Sequence, residues 1–348
     1  IDRHGVAGSR DGLLRLASAG VGESALRAIA DRLGLPRDYV EALSPAEASL
    51  RAGVPIAVPA WWFPGGGWVD PRGLARSYLE RAGSSVTLRL GIEVAALRRV
   101  GDAWQLVDDF GAIIATAEVV VLANAGGASG LLAHADWPIA RVRGQVSALA
   151  IDAVAASAWP KVPVAGAGYA LPPVDGRLWF GATSQVDDAD TSVRDSDHAD
   201  NLARLATWLG GIPVGVRPVA GRTGWREVSE DRLPVIGAVA AASAAGLSSG
   251  AAAAGAGRFD QPRFIARAEG LFACTALGSR GIAFSALGAQ VLASAVTGAP
   301  CPLDADLIDA VDPARFISRA WRRAAVQPGR DTGDQPPPGL TAGAPTGA

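Results

Sequence analysis

The sequence predicts a mixed α/β (α+β) fold in which a layer built on a parallel sheet is joined to an antiparallel sheet. Three stretches carry that expectation. Leu271–Gly298 enters on strand formers, turns at Gly278-Ser279-Arg280-Gly281 and leaves with Ile282, Leu287, Val291, Leu292 and Val296 at helical spacing, so it reads as strand, glycine turn, helix. Glu118–Ala125 opens the unbroken apolar run VVVLANAGG, as expected of a strand covered on both faces. From Arg141 onward the runs Gln145–Ala150, Gly168–Leu171 and Arg177–Ala182 are short and flank the turn Pro172–Gly176, which predicts a hairpin.

Composition narrows the function classes. A chain of 348 residues can bury one large core or two modest ones. With 32 basic against 34 acidic residues it has no global field that would point to nucleic acid or to an acidic partner. Lys161 is the only lysine, a bias that marks the source genome rather than an activity. Cys274 and Cys301 without a Cys-x-x-Cys predict reduced thiols and a cytoplasmic setting. Only His4, His134 and His198 are available, too few and too scattered for a metal centre or a Ser-His-Asp triad, so no metal is expected. No methionine occurs, so the chain reads as a piece of a longer one.

In chain order, Ile1–His4 resembles a strand closing on an acid, Asp2, before the loop Gly5–Gly12. In a dinucleotide-binding βαβ unit the second strand ends on an acid that bonds the ribose, after a glycine-rich turn that here would lie upstream of residue 1. Asp2 is equally well read as a frayed terminal charge. Helices are predicted over Glu23–Leu33 and Ser44–Ala52, separated by Gly34-Leu35-Pro36. Val54–Trp68, with three prolines, three glycines and three tryptophans, should be irregular or edge strand. Trp61 and Trp62 there are either buried anchors or a surface for a base to stack on. Asp70-Pro71 caps and opens a helix through Arg81. Val86–Leu90, Val94–Val100 and Trp104–Asp108 read as strands, Ser196–Leu209 as a helix and Arg222–Glu227 as a strand. Ala238–Gly257 reads as a flexible loop, too interrupted to span a membrane, and the Pro/Gly-rich end as disordered.

The motifs fall in a recognisable order: an acidic strand end with Gly5–Gly12, then GGGWVDP, VVVLANAGG, RGQV, GYALPP, RTGWREVSEDRLPVIG and LGSRG before an Ala-rich helix. That series resembles the glycine oxidase/D-amino acid oxidase (DAO) superfamily of FAD-dependent amine oxidases. Within it, the LFACTALGSRG block, Cys301–Ala305 and Asp312–Phe316 resemble the C-terminal oxidoreductase domains of the bifunctional tRNA 5-methylaminomethyl-2-thiouridine biosynthesis proteins, MnmC. The resemblance implies an FAD/NAD(P)-binding Rossmann-like domain, N-terminally truncated because its Gly-x-Gly-x-x-Gly unit is missing, and an antiparallel-sheet substrate domain. It divides the chain into a discontinuous FAD-binding domain (1–35, 64–140, 222–325), a substrate domain (36–63, 141–221) and a disordered tail (326–348). Between Leu16 and Glu23 the chain is shorter than the family pattern.

The implied reaction is oxidative removal of the carboxymethyl group from 5-carboxymethylaminomethyl-(2-thio)uridine at the tRNA wobble position. A hydride leaves the glycine-like methylene for the flavin, and water splits the imine to glyoxylate and 5-aminomethyluridine. The acid must be gripped so that the C–H bond faces the acceptor, a task suited to arginine's planar fork. The positions matching the family's site are Arg226, Arg280 and Tyr169; for either arginine alone a salt bridge would be an adequate account. For FAD the matching residues are Asp2, Ser9, Arg10, Val94, Ala123, Gly126, Gly278, Ser279, Arg280 and Gly281. Partners implied are tRNA, no membrane, and a fused methyltransferase domain absent from this chain. Arg315, Arg319, Arg322 and Arg323 form the best basic stripe for tRNA, or else a solvated helix face. The alternatives are a glycine- or sarcosine-type small-amine oxidase and a truncated, non-catalytic remnant.

Overall fold

The computed structural model describes residues 5–132, 135–209, 212–245 and 258–326. Asp2, the tract from 246 to 257 and the tail from 327 onward therefore lie outside the described residues. The first part of the chain gives β1 (Gly8–Ser9), β2 (Leu13–Leu16), α1 (Glu23–Arg32), β3 (Glu41–Leu43), α2 (Pro45–Ala52), β4 (Ala60–Phe63), β5 (Trp68–Val69) and α3 (Pro71–Ala82). Next come β6 (Ala96–Val100), β7 (Ala103–Val107), β8 (Ile113–Ala117), β9 (Val120–Leu122), α4 (Gly127–Leu131) and β10 (Ile139–Ala150). They are followed by β11 (Val164–Ala165), β12 (Tyr169–Ala170), β13 (Arg177–Gly181), β14 (Gln185–Val186), α5 (Asp195–Ala206) and β15 (Ala220–Ser229). The chain continues through β16 (Val235–Ala240), α6 (Ala242–Ala245), β17 (Arg267–Thr275), α7 (Gly281–Thr297), α8 (Ala305–Val311) and α9 (Arg315–Val326).

Local chemistry sets the helix ends. Ser44 and Glu47 form a reciprocal capping box at the start of α2, and Gly53 closes it in the left-handed region. Asp70 accepts from the Gly73 N–H at 2.8 Å, and Pro71 supplies the first helical turn of α3 without a wasted donor.

Two sheet systems result. In the larger, β10 is flanked by β15 on one edge and by β13 and β14 on the other, and the sheet continues through β12, β11, β2 and β4 to β3. Leu14, Leu16, Trp62, Leu149, Leu178 and Phe180 put their side chains into its main core. Trp62 is thus a buried anchor, and its ring fills the space that a Cβ on Gly12 would need. The smaller system has the order β16-β17-β9, with β9 parallel to β17. Alternation on β17 divides its faces: Leu271 and Ala273 pack with Leu97, Trp104 and Leu106 of the β6-β7-β8 meander, while Phe272 and Cys274 pack under α7 with Val291 and Leu292. Gly288 lets α7 settle on the sheet, since a Cβ there would lie 3.0 Å from Cys274 Sγ. Burial raises the Cys274 thiol, so it sits protonated in this layer.

The departures from expectation have physical causes. Val86–Leu90 is not a strand: Val86, Leu88 and Leu90 are exposed, and no described strand lies beside them to complete a ladder. Val94 likewise precedes β6 rather than belonging to a strand. Ala238–Ala240 is the end of strand β16, not loop. Among the described residues no helix is long and apolar enough to cross a membrane.

Candidate active site

β9 and β17 run parallel and end side by side, each leading into a glycine turn and then a helix. Past β9, Ala123–Gly126 opens α4. Past β17, the turn Gly278–Arg280 opens the long helix α7, whose first N–H groups have no side-chain cap. The two turns are tied together by Thr275 Oγ1, which donates to the Ala125 carbonyl at 2.9 Å. Gly278 holds φ +57, a region that glycine enters without strain. Its neighbour Leu277 bridges Val228 at the end of β15, which brings this crevice against the large sheet.

That sheet presents Arg226 and Tyr169. Along β15, Arg222, Gly224, Arg226 and Val228 share a face by the two-residue period, and their partners on β10 are Val146, Gly144, Val142 and Ala140. The Arg226 guanidinium lies over Gly144, where a Cβ would fall 2.3 Å from Nη2, and donates to the Thr183 carbonyl at 3.2 Å. Glycine at 144 is thus a requirement of where the arginine sits. Tyr169, paired with Gly181, is largely buried; burial pushes its phenol up and the Arg226 charge pulls it back only in part. The phenol is therefore protonated at neutral pH and able to donate.

The reverse face of the same strands is polar and buried. Arg143 is fully buried; it donates to Asp197 Oδ2 at 2.5 Å and to the carbonyls of Asp190 and Ser192. Gln145 accepts from the Arg194 N–H, and Ser147 bonds His198 Nδ1 at 2.8 Å. Trp225 Nε1 donates to the Asp188 carbonyl, so the segment before α5 is sewn to β15 as well.

Other predicted residues are placed differently. Ser9 pairs with Trp68 through the β1–β5 ladder and donates to Asp11, and Arg10 is exposed beside it. Arg280 is exposed; its guanidinium donates to the Arg232 carbonyl and lies 5.0 Å from the Phe284 ring, with no recorded contact to Arg226 or Tyr169. The arginine stripe of α9 is not a free basic face. Arg315 is buried and, with Arg319, closes on Asp231, while Arg323 pairs with Glu230. Burial alone would raise the Asp231 carboxyl, but hydrogen bonds from Arg315, the Leu233 N–H, Ser229 and Arg319 outweigh it and hold the group far below the usual range. Its contribution to stability is therefore complete above the unfolded pKa, about 4, and fades as pH falls below that. Asp231→Asn should narrow its stability gap to the parent chain between about pH 5 and pH 2, read from denaturant midpoints.

Sequence reasoning missed Glu227. Its carboxylate lies where a Cβ on Gly126 would be, 2.5 Å from Oε1, and 3.8 Å from Arg141. Burial raises its pKa, partly offset by Arg141. Only the packing of the end of β15 against the turn after β9 puts it there, and no spacing in the sequence records that.

A crevice at the carboxyl ends of parallel strands, opening on uncapped helix starts, is where α/β enzymes hold phosphorylated dinucleotides. The Gly278 turn, where nothing lies nearer than 3.7 Å to a Cβ position, leaves the close backbone approach such a group needs, whereas at Gly126 the Glu227 carboxylate takes that space. The chain belongs to the DAO family of FAD-dependent oxidoreductases, whose family model matches residues 1–295, and its cofactor is FAD. It is 46% identical over 329 residues to the tRNA 5-methylaminomethyl-2-thiouridine biosynthesis bifunctional protein MnmC of Methylibium petroleiphilum, covering 91% of this chain and 48% of that protein. The MnmC of Cupriavidus necator is 40% identical, with 92% and 49% covered. The chain thus spans about half the length of these relatives. Among solved structures, glycine oxidase of Geobacillus kaustophilus matches with TM-score 0.68 at 23% identity, covering 88% of this chain and 75% of that one. Iminodiacetate oxidase of Chelativorans sp. BNC1 matches with TM-score 0.66 at 25% identity, covering 88% and 77%.

Proposed function

We propose that the chain removes the carboxymethyl group of 5-carboxymethylaminomethyl-(2-thio)uridine at the tRNA wobble position, giving 5-aminomethyluridine and glyoxylate. The observation that carries this is the Arg226 guanidinium over Gly144, near the largely buried Tyr169, on the strand that bridges to the Gly278 turn. Bound FAD supplies the two-electron acceptor. Arg226 grips the substrate carboxylate with its fork, and Tyr169 donates to the same acid, so that the adjoining methylene is held toward the crevice. The C–H bond breaks with its electron pair leaving as hydride, and the neutral secondary amine, which keeps its N–H proton, becomes a protonated imine. Water then adds to the imine carbon, and the C–N bond breaks to free glyoxylate and the primary amine. If the amine arrives neutral, no protein base is required.

The cofactor side of the crevice has a free sheet edge among the described residues. β9 is an edge strand among the described residues, and its outer edge would accept a parallel strand. Nearby, α3 and α7 enclose an apolar cavity of about 820 Å³ lined by Leu74, Tyr78, Ile282 and Ala286. The large sheet would be the substrate side and the β16-β17-β9 layer the cofactor side.

The test is to load the protein with FAD and follow glyoxylate release from modified tRNA, free glycine and free sarcosine. Release from the tRNA alone, or far faster from it, is the expected result. Turnover of the free amines only would replace this reading with that of a small-amine oxidase.

A further inference from the structure

From Tyr169, which lines it, an open groove of about 600 Å³ runs between the large sheet and the β5–α3 connection. No residue of the turn lines it. Arg72, Arg177 and Arg222 do, all three exposed and none in an ion pair with a described carboxylate. Surface arginines such as Arg76 and Arg322 are also without an ion pair among the described residues; what sets these three apart is that they line one cavity together. Of the two acids at the rim, Asp70 is occupied in capping α3, which leaves Asp175 against three guanidinium groups. Arg222 also lies 5.2 Å from the Trp179 ring centre, giving a stacked cation and aromatic plane at the cavity wall.

A glycine-sized substrate needs one guanidinium, and Arg226 provides it. Three more, around a space fit for a much larger ligand and beside an aromatic platform, have the chemistry of a single-stranded RNA site. Arginines meet backbone phosphates there, and flat groups stack unpaired bases. We propose that this cavity takes the RNA strand flanking the modified nucleoside, with Arg72 and Arg177 on phosphates and the Arg222–Trp179 pair under a neighbouring base. The inference rests on the tRNA reading above and names the surface that reading lacks, since on α9 Arg315 and Arg319 are held by Asp231 and Arg323 pairs with Glu230, which leaves Arg322 alone without an acid among the described residues.

The experiment measures binding rather than turnover. Affinity for a fluorescein-labelled RNA hairpin with a single-stranded loop is followed by anisotropy across a salt series. The chains compared are the parent, Arg72→Gln, Arg177→Gln, Arg222→Gln, the triple variant, and Arg322→Gln on the exposed side of α9. Arg72→Gln and Arg177→Gln should each reduce the slope of log affinity against log salt by about 0.7–1, and the triple variant should weaken binding at least about tenfold. Arg72→Lys and Arg177→Lys should restore the slope, and Arg322→Gln should stay within about twofold of the parent. Tight RNA binding that the triple variant leaves intact, or that Arg322→Gln weakens equally, overturns this site and leaves the proposed reaction standing. No RNA binding by the parent chain, with free glycine turned over, overturns both.

Discussion

Arg226→Ala is expected to lower kcat/KM for a carboxymethylamino substrate by about 10²- to 10³-fold while the bound FAD content changes little. The guanidinium is half-buried over Gly144 and donates to a single recorded protein acceptor, the Thr183 carbonyl, so most of its fork is free for an acid. Removing a charge-assisted, bidentate partner from a partly desolvated site costs about 3–4 kcal/mol, which gives that range. Arg226→Lys should recover only part of the loss, because an ammonium keeps the charge and not the fork. Arg280→Ala should cost less than Arg226→Ala, since its guanidinium is exposed and already donates to the Arg232 carbonyl. Flavin absorbance and steady-state rates on the same preparations decide the matter. If Arg226→Ala loses flavin in step with activity, it supports the cofactor site rather than the substrate.

The largest stability effect is expected at Asp197. Among the described residues its carboxylate is the only acid bonded to Arg143, whose side chain has no exposure to solvent. Asp197→Ala would leave that charge buried without a counter-ion, a loss of about 3–5 kcal/mol. A urea titration should show the midpoint falling sharply for Asp197→Ala. Arg143→Met combined with Asp197→Leu should recover most of it, because an apolar pair removes the desolvation penalty together with the bond. A double variant no more stable than Asp197→Ala would mean that the neighbouring bonds to Asp190 and Ser192, not the ion pair, hold this face together.

Much of the crevice was legible because local rules write it. The strand, glycine turn and helix around Gly278, the Ser44 and Asp70 caps and the Pro172–Gly176 hairpin all follow from residues close in sequence. What was hidden depends on distant pairing. β10 runs for twelve residues, Ile139–Ala150, yet only its apolar second half was visible. Arg143, Gln145 and Ser147 face a polar network under α5 rather than an apolar core, so the alternation that marks a half-buried strand is disguised. The same blindness turned the α9 arginines into a candidate RNA surface, because nothing near Arg315 in sequence announces Asp231. Val86–Leu90 failed in the other direction: it has a strand's pattern and no described neighbour to pair with.

Arg226 resting on Gly144 has one more consequence. If it grips the substrate acid as proposed, a guanidinium seated over a glycine floor and bonded to the Thr183 carbonyl would act as a ruler. An acid one carbon from the nitrogen sets the reactive carbon at a single fixed height. Lengthening the chain by one carbon, as in a carboxyethylamino analogue, should let the compound dock normally and still leave the wrong carbon at that height.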